Sequence, residues 1–193
     1  MTRTRVVQVL AIVLAFAVAV YGATRILERM VAPAASESAN QPAAATTPAV
    51  PHVVATLFYG TEDGQALAAM KREVPLEQSP RAQGRQILDA ELDAPPAPYL
   101  PIIPKGTMLR AFYITDRGDA FVDLSPEIST AHPGGSTNEL LTVYAIVNAV
   151  TANLSAVQRV QILIDGKQAD TLAGHVDLRR PFDRDTSLVR ETK

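Results

Sequence analysis

The chain has few residues that could do chemistry, and the best-placed pair is His175 and Asp177. Two positions apart on an extended segment, their side chains share a face, where they could ligate a metal ion or form a base–carboxylate pair. A metal site needs a third ligand and a hydrolase needs a nucleophile, and the spacing marks neither. We therefore interpret both residues as structural hydrogen-bonding groups. The sequence predicts no catalytic, cofactor-binding or metal-binding residues and no cofactor.

Two other sets of residues have both a functional and a structural interpretation. Asp123 and Ser125 end a predicted strand and could form an acid or hydroxyl site, but turn and capping bonds explain them equally simply. Gly134-Gly135 could offer N–H groups to an anion, although neither phosphate-loop pattern is present. The remaining histidines are His52 and His132.

A basic group near the C-terminus contains Arg179, Arg180 and Arg184. Contact with anionic lipid or a cell-wall polymer is one interpretation. We favour the simpler one, a solvated basic tail.

The composition excludes several classes of protein. The 193 residues carry a net charge of −2, which gives no basic face for nucleic acid. Because cysteine is absent, disulfides, thiolate metal sites, a cysteine nucleophile and a lipidated cysteine are all excluded. Tryptophan is also absent and other aromatics are scarce, so stacking platforms for bases or sugars are not expected.

The N-terminal segment predicts a membrane anchor. Residues 1–5 are short and basic, and residues 6–23 are almost wholly apolar and long enough to span about 27 Å as a helix. A cleaved signal peptide is the alternative, but small residues at A-x-A spacing are poorly placed; a buried core helix is a third. The basic N-terminus predicts a single-pass protein of the cytoplasmic (inner) membrane, with its C-terminal domain outside the cytoplasm.

Residues 24–52 follow as a linker rich in Ala and Pro without an apolar face. The folded domain is predicted over residues 53–182, and a disordered tail over residues 183–193. Val53–Tyr59 is typical of a strand, and Leu67–Val74 of a second short strand or an irregular segment. Ser79-Pro80 marks a helix start, and the helix carries the apolar stripe Ala82, Ile87, Leu88 and Leu92 with Gly84 as a weak point.

The second half of the domain has clearer signals. Met108–Thr115 and Ala120–Ser125 predict a hairpin, and the five prolines between Asp93 and Pro104 exclude helix there. Ser136 and Glu139 have capping-box spacing ahead of a helix of about five turns. Its predicted apolar face contains Leu140, Val143, Tyr144, Val147, Val150 and Leu154.

A strand alternating Val160, Ile162 and Ile164 ends at the turn Asp165-Gly166, and Gln168–Leu172 could be a short edge strand. The predicted class is α+β, with two helices on a mainly antiparallel sheet in the order βαββαβ. This arrangement is ferredoxin-like, and the N-terminal transmembrane helix precedes it.

An ordered set of motifs resembles a GerMN domain, the module named for a spore-germination protein. The motifs are Leu57–Tyr59 followed by Asp63-Gly64, Pro104-Lys105-Gly106-Thr107, Phe121–Ser125, GGS-x-x-E-L at Gly134–Leu140, Val143–Asn148, Val160–Gly166 and Gly174–Asp177. The resemblance covers one copy over about Val53–Phe182. It implies a fold similar to ring-building motifs and an extracytoplasmic, membrane-tethered, non-enzymatic module.

These observations lead to three functional hypotheses. The first is a non-catalytic interaction or assembly domain scaffolding an envelope or sporulation/germination-related complex, with an envelope protein or a second copy as partner. The second is a module that binds peptidoglycan or another envelope ligand. The third is a hydrolase using His175 and Asp177. The first is favoured because no reactive site is visible in the sequence.

Overall fold

A computed structural model describes residues 50–190 of the chain. The predicted cytoplasmic segment 1–5, the predicted transmembrane helix 6–23 and nearly all of the linker 24–52 lie outside the described residues. Within residues 50–190, no helix is long and apolar enough to cross a membrane.

The first sheet is built on a long hairpin. Strand β1 (His52–Gly60) pairs antiparallel with β2 (Leu67–Pro75) over nine residue pairs, and the turn between them uses Gly64 at φ +65°. The strand predicted at Val53–Tyr59 is therefore confirmed, and the ambiguous segment after the turn is a full strand. Strand β7 (Val189–Arg190) adds to β2 in parallel, giving the order β1-β2-β7.

The second sheet has the order β3-β4-β5-β6. The predicted hairpin is confirmed as antiparallel β3 (Leu109–Ile114) and β4 (Asp119–Leu124). Strand β5 (Arg159–Ile164) runs parallel to β4, and the short β6 (Phe182–Asp183) runs antiparallel to β5. The α+β class is confirmed, but the prediction of one mainly antiparallel sheet in the order βαββαβ is wrong. Two mixed sheets form because β2 pairs with β1, and because the C-terminal strands β7 and β6 join the first and the second sheet, respectively.

Three helices lie between these strands: α1 (Pro80–Leu92), α2 (Glu127–Thr130) and α3 (Ser136–Asn153). The start of α1 is as predicted, since the Ser79 side chain accepts a hydrogen bond from the Ala82 N–H at 3.2 Å. The short α2 was not predicted. The predicted capping box at the start of α3 is wrong. Gly135 is the N-cap, and no side chain makes a capping hydrogen bond there, because the Glu139 side chain binds other groups.

Helix α3 forms the centre of the hydrophobic core. It packs against β1 of the first sheet, β5 of the second sheet and helix α1. The prediction of one apolar face is therefore too narrow: the helix is buried from Leu141 to Val150 except at Tyr144. A helix covered on several sides needs apolar residues around most of its circumference.

The C-terminal segment differs from its prediction. Residues 183–190, expected to be a disordered tail, include β7, and the backbone of Asp185 exchanges two hydrogen bonds with the buried Asn148 side chain at 2.7 and 3.1 Å. Gln168–Leu172 does not form a strand, and a single bridge joins Thr171 to Asp177.

Candidate functional site

His175 and Asp177 have different partners. The His175 Nδ1 lies 2.7 Å from Glu139 Oε1, whereas the Asp177 carboxylate accepts hydrogen bonds from the Arg179 side chain at 2.7 and 2.9 Å. Across residues 50–190, no group of three or more metal-ligating side chains comes together. The geometry therefore brings His175 to a carboxylate that the sequence did not pair with it.

Glu139 holds the loop that carries His175. Its side chain is fully buried, and Oε2 accepts the backbone N–H groups of Ala173, His175 and Val176, each at 3.0 Å. Burial alone would raise the pKa of this carboxyl, but the three N–H donors and the His175 ring outweigh it and lower the pKa to about 2. Glu139 is therefore a charged structural anchor, and both of its carboxylate oxygens are already hydrogen-bonded.

His132 connects the loop before α3 to the proline-rich segment. Its Nδ1 accepts the Gly134 N–H at 3.0 Å, which places the ring proton on Nε2, 3.0 Å from Thr142 Oγ1. The Thr142 hydroxyl in turn donates to the Ile102 carbonyl at 2.6 Å. Burial lowers the pKa of His132, so the neutral ring is favoured.

The two glycines before α3 are occupied by local contacts. The Gly134 N–H donates to His132, and the Gly134 carbonyl accepts the Asn138 side-chain amide at 3.1 Å. Gly135 has φ +91° and its carbonyl accepts the Glu139 N–H. These bonds agree with the structural interpretation of the pair.

Asp123 and Ser125 make turn and strand-end bonds. Asp123 accepts the Gly166 N–H at 2.7 Å and the Arg110 Nε at 3.3 Å, and Ser125 Oγ accepts the Met108 N–H at 2.9 Å. Arg110 also pairs with Asp165 beside this turn.

The remaining candidates lie at the surface. His52 begins β1 and is exposed, as are Arg180 and Arg184. Arg179 is held by Asp177.

A cleft that the sequence did not predict lies between the end of β1, the end of α1 and the proline-rich segment. It has a volume of about 520 Å³, and its walls are mainly apolar. Glu91 lines it with a side chain only 1 % exposed, and its carboxylate accepts the Phe58 N–H at 3.0 and 3.3 Å. Burial raises the pKa of Glu91 well above its ordinary value, and the Phe58 N–H opposes this only in part.

The second sheet has one buried face and one half-exposed face. On the inner face, Phe112, Val122 and Ile162 are completely buried. On the other, which we call the outer face, Tyr113 is 49 % exposed and Ala111, Phe121 and Leu163 are half-buried. The register sets Tyr113 beside Phe121, and Asp123 beside both Ala111 and Leu163. The Arg81 guanidinium lies 4.6 Å from the centre of the Tyr113 ring, a cation–π contact.

Comparison with protein families places these features on a known module. The family model described as "Germane: Sporulation and spore germination" matches residues 56–170. The match begins within β1 and includes β2 to β5 and the three helices. Comparison with curated proteins gives no match.

Solved structures similar to this chain include the following three. One, described as "Putative Lipoprotein from Clostridium perfringens", is 26 % identical with a TM-score of 0.51, covering 72 % of this chain and 91 % of its own. The tandem GerMN domains of the sporulation protein GerM from Bacillus subtilis are 16 % identical with a TM-score of 0.54, covering 69 % and 46 %. The first GerMN domain alone is 19 % identical with a TM-score of 0.51, covering 69 % and 96 %.

Proposed function

Because this chain belongs to the Germane family of sporulation and spore-germination domains, we propose that it is a non-catalytic assembly domain on the extracytoplasmic side of the membrane. Similarity to a protein described as a lipoprotein supports a membrane tether, for which residues 6–23 are our candidate. The separate partners of His175 and Asp177 support a role without catalysis.

The outer face of the second sheet is the observation that carries this proposal. On this face four apolar side chains leave part of their surface in water: Ala111, Tyr113, Phe121 and Leu163. The register sets the buried Asp123 between Ala111 and Leu163, and the buried Gln161 beside Phe121. Apolar patches of this kind commonly mark protein contact sites, because burial against a partner releases about 25 cal/mol for each Å² covered. The Arg81–Tyr113 pair adds the residue types that dominate binding energies at interfaces.

We propose a second GerMN-type domain, supplied by another copy of this chain, as the occupant of the outer face. A similar structure contains two such domains in tandem, whereas the family match here is a single segment. A net charge of only −2 opposes self-association weakly. An isologous contact would place Tyr113 and Phe121 of each copy against the other.

Site-specific photocrosslinking of the full-length chain in cells tests this proposal. A photoreactive phenylalanine at position 113 should give an adduct of twice the chain mass, and the same group at Lys71, exposed on β2, should not. Phe121→Lys should abolish the adduct, because it puts a charge in the contact.

The possible outcomes separate the two parts of the proposal. An adduct with a different envelope protein would rule out the second copy as occupant and keep the interaction role. Equal adducts at positions 113 and 71, or none at either position, would exclude the outer face as an interaction surface.

A further inference from the structure

The proline-loop cleft, the cavity of about 520 Å³ described above, has the form of a ligand site. Its volume falls in the range typical of small-molecule pockets. The apolar part of its wall includes Tyr59, Leu92, Leu100, Ile102 and Ile103. Such a surface suits an alkyl or aromatic group.

Glu91 differs from the apolar residues of this wall because it carries a carboxylate. Glu91 is a buried residue of this mainly apolar wall, where an ionised carboxylate is costly unless it is paired. The Phe58 N–H is its only hydrogen-bond donor among residues 50–190, although a carboxylate has about four acceptor positions. Position 91 also lies four residues after Ile87, on the buried side of α1, where an apolar residue would pack without this cost.

The charged groups around Glu91 do not neutralise it. On β2, Arg72 donates to the Ala90 carbonyl and to Asp93, so its guanidinium is directed to those groups. On β1, the Tyr59 hydroxyl donates to the Ala90 carbonyl. At the mouth of the cleft stand Asp93 and Lys105, both exposed to solvent, which screens them.

We propose that the proline-loop cleft binds an organic cation, a primary ammonium or guanidinium on an apolar stem, with Glu91 as its counter-ion. The stem would cover the apolar walls, and the cationic head would use the carboxylate positions that Phe58 leaves free. Charge-assisted hydrogen bonds of this kind are roughly twice as strong as neutral ones. This inference is independent of the outer face and of any self-association.

Titration calorimetry on the full-length chain tests the cation with three probes of one stem: hexylamine, hexan-1-ol and hexanoate. Hexylamine should bind saturably and about 10- to 100-fold more tightly than hexan-1-ol, as expected for a hydrogen bond to a charged group. Hexanoate should not bind. Because a bound cation favours the ionised form of Glu91, whose pKa is raised by burial, hexylamine binding should release protons at pH values where the free chain keeps the Glu91 proton. This release is seen as heat that depends on the buffer, and hexan-1-ol should release none.

Two matched variants locate the effect. Glu91→Gln keeps an acceptor for the Phe58 N–H but removes the charge, and it should weaken hexylamine about 10- to 100-fold. Asp89→Asn, an exposed carboxyl of the same helix outside the cleft, should change the affinity less than about threefold, because a solvent-exposed charge away from the bound cation is screened. The Phe58 amide resonance should shift on hexylamine binding in the wild-type chain.

Other results would overturn the proposal. Three results would show that Glu91 only accepts the Phe58 N–H of β1. They are equal binding of hexylamine and hexan-1-ol, absence of saturable hexylamine binding, and unchanged hexylamine affinity in a folded Glu91→Gln chain. If Glu91→Gln fails to fold, the proton release and the probe series in the wild-type chain decide the question alone.

Discussion

Glu139 and Glu91 show how two buried carboxyls reach opposite states. Both side chains are almost completely shielded from water. Three backbone N–H groups and the His175 ring stabilise the charge on Glu139, whereas a single N–H contacts Glu91. The donors around Glu139 therefore make it a charged anchor, whereas burial dominates at Glu91 and leaves a carboxyl with unused acceptor positions.

We expect Glu139→Gln to destabilise the domain by about 1.5–3 kcal/mol at pH 7, the range for a hydrogen bond to a charged group. Urea denaturation of the full-length chain measures this change. Because the folded-state pKa of Glu139 is below its ordinary value of 4.5, its stabilisation is present above pH 4.5 and disappears as pH falls towards about 2. The variant should lack this part of the acid dependence. Glu73→Gln, exposed on β2, is the control, and an equal loss in both variants would contradict the anchor.

Burial shifts the pKa of His132 in the direction expected of a buried base. Its folded-state pKa is lowered, so protonation costs more in the folded chain than in the unfolded chain. The neutral ring therefore contributes no penalty above the ordinary pKa of 6.5, and stability falls as pH drops below it. NMR titration of the ring should give a midpoint below 6.5, and a midpoint above it would contradict the Gly134–His132–Thr142 arrangement.

At the scale of the elements, α1 and β3 meet at a glycine. Gly84 is a poor helix former, and in isolation alanine would stabilise α1 by about 1 kcal/mol. However, a Cβ at this position would lie 2.1 Å from the ring of Phe112, which is completely buried and has no room to move away freely. The close approach of the helix to the second sheet therefore requires glycine here.

We expect Gly84→Ala to lower the free energy of unfolding by about 1–3 kcal/mol, since the strain of overpacking exceeds the gain in helix propensity. The midpoint of urea denaturation measures the effect, provided that the slope is unchanged. Asp89→Ala, at an exposed position of the same helix, receives the propensity gain without the clash and should be neutral or stabilising. A stabilised Gly84→Ala chain would show that the helix and Phe112 can separate at little cost.

At the scale of the whole molecule, the C-terminal segment joins the two sheets to the central helix. β6 completes the second sheet, β7 pairs with β2 of the first, and Asn148 in α3 binds the Asp185 backbone between them. Asn148 is completely buried, so removal of Asp185 would leave its amide without partners. The segment is therefore part of the domain core.

We expect a chain ending at Asp183 to be less stable by roughly 1–3 kcal/mol for each buried group left unpaired. Asn148→Ala should be destabilising in the full-length chain and clearly less so in the truncated chain, because both changes remove the same two hydrogen bonds. Thermal or urea unfolding measures the stability of the full-length chain, the truncated chain and the Asn148→Ala variant of each, which together form a double-mutant cycle. Strict additivity would show that Asn148 and the tail act separately.

The sequence alone determined the features that depend on neighbours in the chain. The strand at Val53–Tyr59, the β3–β4 hairpin, the Ser79 cap and the turn at Asp165-Gly166 follow from alternation, turn residues and capping preferences, which act within a few positions. The family resemblance came from the same local motifs. The family match over residues 56–170 confirms it.

Only the tertiary structure decided the roles that depend on distant residues. The spacing of Ser136 and Glu139 fits a capping box, but Glu139 lies on the buried side of α3 and finds stronger partners 34 to 37 residues away. Glu91 likewise reaches Phe58, 33 residues earlier in the chain. A carboxylate on an apolar helix stripe was a signal in both cases, yet its partner could not be read from the sequence. Hydrogen-bond donors that satisfy a buried charge are assembled by packing, and packing also brings the C-terminal segment back to both sheets.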